Sequence, residues 1–305
     1  MAKVKIQGHA SGTGVLTVTA PNTSTDRTIT LPDATGTLLT SADVPITTTA
    51  TSNIGVGANA VDSITTGDWN VGLGDNALTA TTSGERNVGV GFNALLLNTT
   101  GVRNSAVGMD ALGANTTGGY NTALGNNSLG ANTTASNNTA IGYNSLLANT
   151  TGASNTAVGY STLKTNTTAE DNTAVGYNAL ALNTTGASNT SVGTGSLETN
   201  TTGSNNVALG LQALRVNTTG ASNTALGRVS MKANTTGSNN VAVSAVSLYL
   251  NTTGINNVAV GVDALHYNTT GSYNTAFGYN ALGANTTGGN NIAIGNLALD
   301  ANTTA

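Results

Sequence analysis

The sequence predicts an all-β chain: a parallel β-solenoid of fifteen 17-residue coils over residues 53–305, preceded by a small N-terminal β segment. Three observations predict it. A 17-residue unit opening with Asn recurs fifteen times, from Asn53 to Asn291, without one insertion or deletion. Small and larger residues alternate inside each unit with the period of two that marks a strand. The third is composition: charged residues are 7% of the chain and the net charge is −4. Disorder normally goes with high net charge and few β-branched residues. Thr and Val recur here at fixed places, so the periodicity points to a repeat fold.

The unit reads N-[T/V]-A-[V/L/I]-G-x-x-[A/S]-L-x-x-N-T-T-G-x-x, as in "NTAVGYNALALNTTGAS" at residues 172–188. Its positions are numbered 1 to 17 from the opening Asn. Loops tolerate insertions, so a unit without any has no free loop, and each copy is expected to close into one coil. Position 4 is always apolar, position 2 is Thr, Val, Ile or Ser, and position 3 is Gly, Ala or Ser. This predicts a first strand with positions 2 and 4 on one face. Read by size, that face is the core and includes Val158 and Val175. Position 9 is nearly always Leu, as at Leu163 and Leu180, and position 11 is often Ala, Leu, Val or Thr. A second strand is expected there, with positions 9 and 11 inward.

Gly at position 5, replaced only by Ser244, ends the first strand. "NTTG" at positions 12–15 makes the second corner, since Asn and Gly tolerate the left-handed backbone of tight turns. β-branched residues and Gly are poor helix formers, which disfavours a helical repeat. At roughly 4.8 Å per coil the stack spans on the order of 70 Å. Asn at position 12 is expected to stack on Asn above and below as an amide ladder. The same "NTT" triplets match the N-x-[S/T] glycosylation acceptor, which requires a secretory route for which the sequence carries no signal.

A 17-residue coil is thin. Burying one Val or Leu yields ~1.5–3 kcal/mol, while ordering each residue costs ~1–2 kcal/mol. Further apolar contact is therefore expected. The small Ala of position 3 with the Gly of position 5 offers a face where copies of the chain can approach closely. A homotrimer through that face is the simplest expectation, although the copy number does not follow from the columns.

"NTAVGYNAL" resembles the repeats of trimeric adhesin heads of the YadA type, which read N-S-V-A-I-G-x-x-S. The resemblance covers about the first half of each copy. It implies a left-handed parallel β-roll with three chains side by side. The N-terminal segment carries a second signature. "VLTVTA" and "RTITLP" alternate as two strands joined by the turn-rich "PNTSTD", and "PDATG" is another turn. Residues 12–45 resemble the N-terminal segment of phage tail-fibre and related tail proteins, which attaches the fibre to the tail. The two resemblances imply a virion protein of a bacteriophage or cyanophage. Residues 1–46 would dock on a tail or baseplate protein, 47–52 link, and 53–305 form a shaft that supports adhesion to a host surface receptor such as a glycan.

Other classes find little support. Cysteine is absent, so neither disulfide nor thiolate metal site is expected. The N-terminus lacks the apolar stretch of a signal peptide, and no apolar run approaches the ~18 residues of a membrane helix. The expectation is synthesis in the host cytoplasm, residence in the virion and no membrane insertion. Nine scattered Lys and Arg make no basic patch for nucleic acid. His9 and His266 lie in different regions, and position 10, which holds His266, is variable and polar, so this histidine reads as solvated. Glu170 and Asp171 read as a solvated acidic pair at a corner. No Asp column repeats, which excludes the Ca²⁺-binding repeat type. No catalytic constellation or cofactor is expected.

Position 6 is more suggestive. Tyr143, Tyr160 and Tyr177 fall in consecutive copies, which stacks their rings. A packing ladder is one reading, and a platform for sugar rings is the other. Trp69 is expected to cap the first coils. The competing function classes are a surface-binding solenoid, such as an ice-binding protein or a bacterial adhesin, and a hydrolytic tailspike. Adjacent strand residues face opposite sides, so the Thr pair of positions 13 and 14 does not make a flat array two Thr wide. Paired carboxylates at a common column, which a glycosidase needs, are missing. The sequence stops at "ANTTA" without a capping segment, so the expectation is that either more protein follows or another chain covers that end, and that a receptor-binding tip is either missing or is simply the last coils.

Overall fold

A computed structural model of the chain describes residues 3–7, 15–19 and 52–304. It divides into two units, Met1–Leu39 and Thr40–Ala305. In the first, β1 (Lys3–Gln7) and β2 (Val15–Thr19) pair antiparallel, with Lys5 opposite Thr17. "VLTVTA" therefore contributes a strand as expected, and its partner is Lys3–Gln7. "RTITLP", "PDATG" and residues 47–51 of the expected linker lie outside the described residues.

The second unit is a parallel β-solenoid. Fifteen three-residue strands, β3 (Ile54–Val56) to β17 (Ile292–Ile294), stack in chain order into one parallel sheet. Each pairs with the strand 17 residues away in strict register; in β10 (Thr173–Val175), Ala174 sits between Ala157 and Ser191. Described residues contain no helix.

Two asparagine ladders explain why the period never varies. The position-12 ladder runs unbroken from Asn98 to Asn285; Asn115 Nδ2, for example, donates to Asn98 Oδ1 at 2.8 Å. The same amides donate to the position-15 carbonyl of their own coil, as Asn183 does to Gly186 O at 2.8 Å. The second ladder, at position 1, was not foreseen in the sequence. Asn189 N–H donates to Asn172 Oδ1 at 2.9 Å, while Asn172 Nδ2 reaches Gly186 O at 3.0 Å and so ties the start of a coil to its end. An inserted residue would break both ladders and leave buried amides unpaired, at a cost of about 1–3 kcal/mol for each group.

The core corrects the phase expected for the first strand. Ala157 and Ala174 at position 3 are fully buried, whereas Val158 and Val175 at position 4 are only half-buried and face outward. The alternation was right and its direction reversed. The reason is room. At position 3 of an early coil, a Cβ on Gly72 would already lie 3.1 Å from both Ala77 O and Val61 Cγ1. A thin coil accepts one large side chain, and position 9 supplies it: Leu163 and Leu180 are fully buried, as expected, in a Leu column that runs through the stack. Where Ser191 replaces Ala at position 3, its hydroxyl pairs with Ser196 Oγ at 2.6 Å.

This burial also removes the Gly/Ala face as a meeting surface between copies. Its small side chains are the solenoid's interior.

The second limb is a further correction. Positions 6–11 form no strand. Positions 7 and 9 take left-handed backbone, as at Asn178 (φ 52°) and Leu180 (φ 52°), so successive residues do not alternate as in a pleat. Position 11 consequently faces out, and Leu182 is 47% exposed where Leu180 is 0%. The limb still bonds coil to coil, with Leu180 N–H donating to Ser196 O and Leu182 N–H to Glu198 O, both at 3.0 Å.

Gly at position 5 is favoured twice over, and only Ser244 (φ 122°) departs from it. Gly176 has φ 135°, a region other residues rarely enter, and a Cβ there would meet Gly193 O at 2.7 Å. The position-15 Gly is not left-handed, so the expected corner chemistry does not hold there. It is small because the next coil's carbonyl and the Asn ladder press on it, and Ala135 and Ala169 still fit.

Candidate functional site

The outer surface is written one residue per coil, so any residue type repeated at one position becomes a ladder. Position 6 follows the strand and the tight Gly turn, which leaves its side chain in solvent. Tyr143, Tyr160 and Tyr177 are 46%, 48% and 54% exposed. Their rings stack as the spacing predicts, with centroids 5.5 Å and 5.2 Å apart and planes inclined by 20° and 9°. Their backbone is fixed by the coil ladder, since Ser161 N–H donates to Tyr143 O and Asn178 N–H to Tyr160 O, both at 3.0 Å. The result is a pre-ordered aromatic strip three coils long, with phenolic groups available for hydrogen bonds. Aromatic side chains of this kind give large contact area at low entropic cost.

Two other ladders escaped the sequence reading. At position 17, Arg86 lies over the Trp69 ring at 4.5 Å, and Arg103 lies over Tyr120 at 5.2 Å while its Nη1 donates to the Tyr120 hydroxyl at 2.7 Å. Trp69 is half-exposed and belongs to this cation–π series. At position 10, Lys232 lies 5.9 Å from the Tyr249 ring, Tyr249 stacks on His266 at 5.3 Å, and His266 contacts Tyr267 at 4.5 Å. His266 also pairs through Nδ1 with Asp263 Oδ1 at 3.0 Å, so it is not the simply solvated histidine expected. The 17-residue spacing gives the pairs Trp69–Arg86, Arg103–Tyr120, Lys232–Tyr249 and Tyr249–His266, whereas the His266–Tyr267 contact joins neighbouring positions and does not follow from the period.

The remaining polar chemistry is dispersed. Glu170 and Asp171 are exposed, as expected. Arg215 and Glu198 form an ion pair between neighbouring coils at 2.7 Å. Among the described residues, no three His, Cys, Asp or Glu side chains converge on one point, and no helix is long and apolar enough to cross a membrane.

No protein-family model, curated protein or solved structure matches this chain, so its affinities rest on the fold and surface described above.

Proposed function

We propose that this chain is a structural, non-enzymatic virion protein: a phage tail-fibre shaft that holds a receptor-binding element away from the particle. The observation that carries the reading is the unbroken stack of fifteen parallel strands, each one 17-residue repeat from the next. Every coil is bonded to the next through backbone, Asn and Thr ladders, so no coil is a built-in hinge. Repetition supplies length and stiffness from one small packing solution. In this reading residues 1–46 attach the shaft to a tail or baseplate protein, by resemblance to tail-attachment segments. The tyrosine strip of positions 143, 160 and 177 is the proposed contact for a host surface glycan.

Deleting residues 1–46 tests this. The truncated chain should remain folded and disappear from purified virions. Normal copy number of the truncated chain on virions would refute the attachment role.

An ice-binding solenoid is the second reading, because Thr recurs along one edge. Burial weighs against it. Thr184 at position 13 is half-buried and spends its hydroxyl on Thr201 O at 3.0 Å, which leaves one exposed Thr per coil on that edge, at position 14; the outward Thr of position 2 is replaced by Val, Ile or Ser in eight of the fifteen copies. Thermal hysteresis of the purified chain would reinstate this reading. A bacterial surface adhesin shares the shaft logic and differs in where the chain resides.

A further inference from the structure

The reversed strand phase leaves the sheet's outer face unexplained. Position 4 is apolar in every copy and buried in none, from Val56 to Ile294. Position 2 beside it is Thr, Val, Ile or Ser, also outward throughout. Position 6 lies past the Gly turn, at the edge of this face, where Phe92, Met109, Leu211 and Tyr279 are about half-exposed, as are the three stacked tyrosines assigned above to glycan contact. Positions 2 and 4 carry no charge in any copy, and position 6 carries only Asp75 and Arg228. Positions 2 and 4 therefore form a stripe that is uncharged along the whole stack and apolar throughout at position 4.

Its size can be bounded. Fourteen steps of roughly 4.8 Å give a length of about 67 Å, and the three residues of each strand, at roughly 3.3 Å each, a width of about 10 Å, or on the order of 670 Å². Monomeric proteins rarely expose apolar patches beyond about 300–600 Å². A stable interface buries about 800 Å² per partner.

We propose that this stripe is the interface between copies of this chain, packed side by side along their solenoid axes. The period selects the partner. Contact along the full stripe requires an occupant whose side chains recur with the rise of one coil, and a second copy has that rise by construction. The absence of charge on positions 2 and 4 leaves nothing for a partner of opposite sign to recognise. The expected self-association is thus kept, and moves from the Gly/Ala face, which is interior, to the Val/Thr face. It explains why large β-branched residues occupy an outward position in every coil. It does not depend on the tail-fibre reading: a monomeric chain would overturn this interface and leave that reading standing.

The test uses light scattering and directed disulfides on the full chain. The unmodified protein should have a mass that is a multiple of 30.0 kDa. The triple variant Val158→Asp, Val175→Asp, Val192→Asp should fall to 30.0 kDa with an unchanged far-UV spectrum, because these side chains leave the interior untouched. Should the triple variant lose its fold, the cysteine-free chain allows a milder probe. Val175 lies in the eighth of fifteen copies, the middle of the stack, so Val175→Cys brings thiols of two copies together in either parallel or antiparallel packing. Mild oxidation should convert most of Val175→Cys to a covalent dimer and little of Thr185→Cys, an exposed position-14 control in the same coil. A mass of 30.0 kDa for the unmodified chain would overturn the proposal. So would a folded triple variant that keeps the oligomer, or disulfide trapping at Thr185 equal to that at Val175.

Discussion

Leu180 and Leu182 are the same residue type, two positions apart, on the same limb of the same coil. The backbone sends them to opposite sides: Leu180 is 0% exposed and Leu182 is 47% exposed. Truncating each to Ala removes the same atoms from two environments. At Leu180 the vacated space lies between Leu163 and Leu197 of the adjoining coils, both fully buried. Those coils are pinned by backbone bonds, Leu163 N–H to Ala179 O at 3.2 Å and Leu180 N–H to Ser196 O at 3.0 Å, so the cavity has little freedom to collapse. Buried Leu→Ala changes cost about 2.7–5 kcal/mol, more where collapse is prevented, and Leu180→Ala should fall at about 3–5 kcal/mol. The left-handed backbone adds nothing to the difference, because Ala and Leu carry the same Cβ penalty there. Leu182→Ala gives up only part of a side chain's burial and should cost less than about 1 kcal/mol. Urea unfolding followed by far-UV circular dichroism reads both. Equal midpoints for the two variants, or a larger loss for Leu182→Ala, would refute the inside–outside assignment of the second limb.

Two further outcomes follow from the ladders. Asn183→Ala removes the donor to Asn166 Oδ1 (3.0 Å) and should destabilise by about 1–3 kcal/mol, while Thr185→Ala, exposed in the same coil, should be near neutral in the same melts. Tyr160→Ala interrupts both ring stacks and should cost about 0.5–1.5 kcal/mol of stability; in adsorption assays it should weaken glycan attachment far more than that small loss explains, and unchanged adsorption would remove the tyrosine strip from the binding account.

Periodicity made the architecture legible. A 17-residue period without indels yields a parallel stack in register, and the position-12 Asn ladder and the Leu column at position 9 follow from it directly. The direction of the first strand was not legible, because the usual rule that larger apolar residues face inward presumes a core with room. Here Val175 and its counterparts are displaced outward by the Leu of position 9, and Ala174 fills what remains. The second limb was hidden for a different reason. Leu rarely adopts left-handed backbone, yet Leu163 (φ 48°) and Leu180 (φ 52°) do so in successive coils, held by bonds to both neighbours. Of the candidate site, the tyrosine stack was readable from spacing alone, whereas Asp263 beside His266 depends on how the turn folds three residues back.

Each 17-residue copy is one interchangeable coil of a continuous stack. Deleting residues 138–222 removes five whole copies and joins Asn137 to Asn223 in frame. The measurement is the length of the solenoid in electron micrographs of the full and shortened chains. At roughly 4.8 Å per coil the shortened chain should stay folded and be about 24 Å shorter. A shortened chain that fails to fold, or one whose length is unchanged, would contradict the claim.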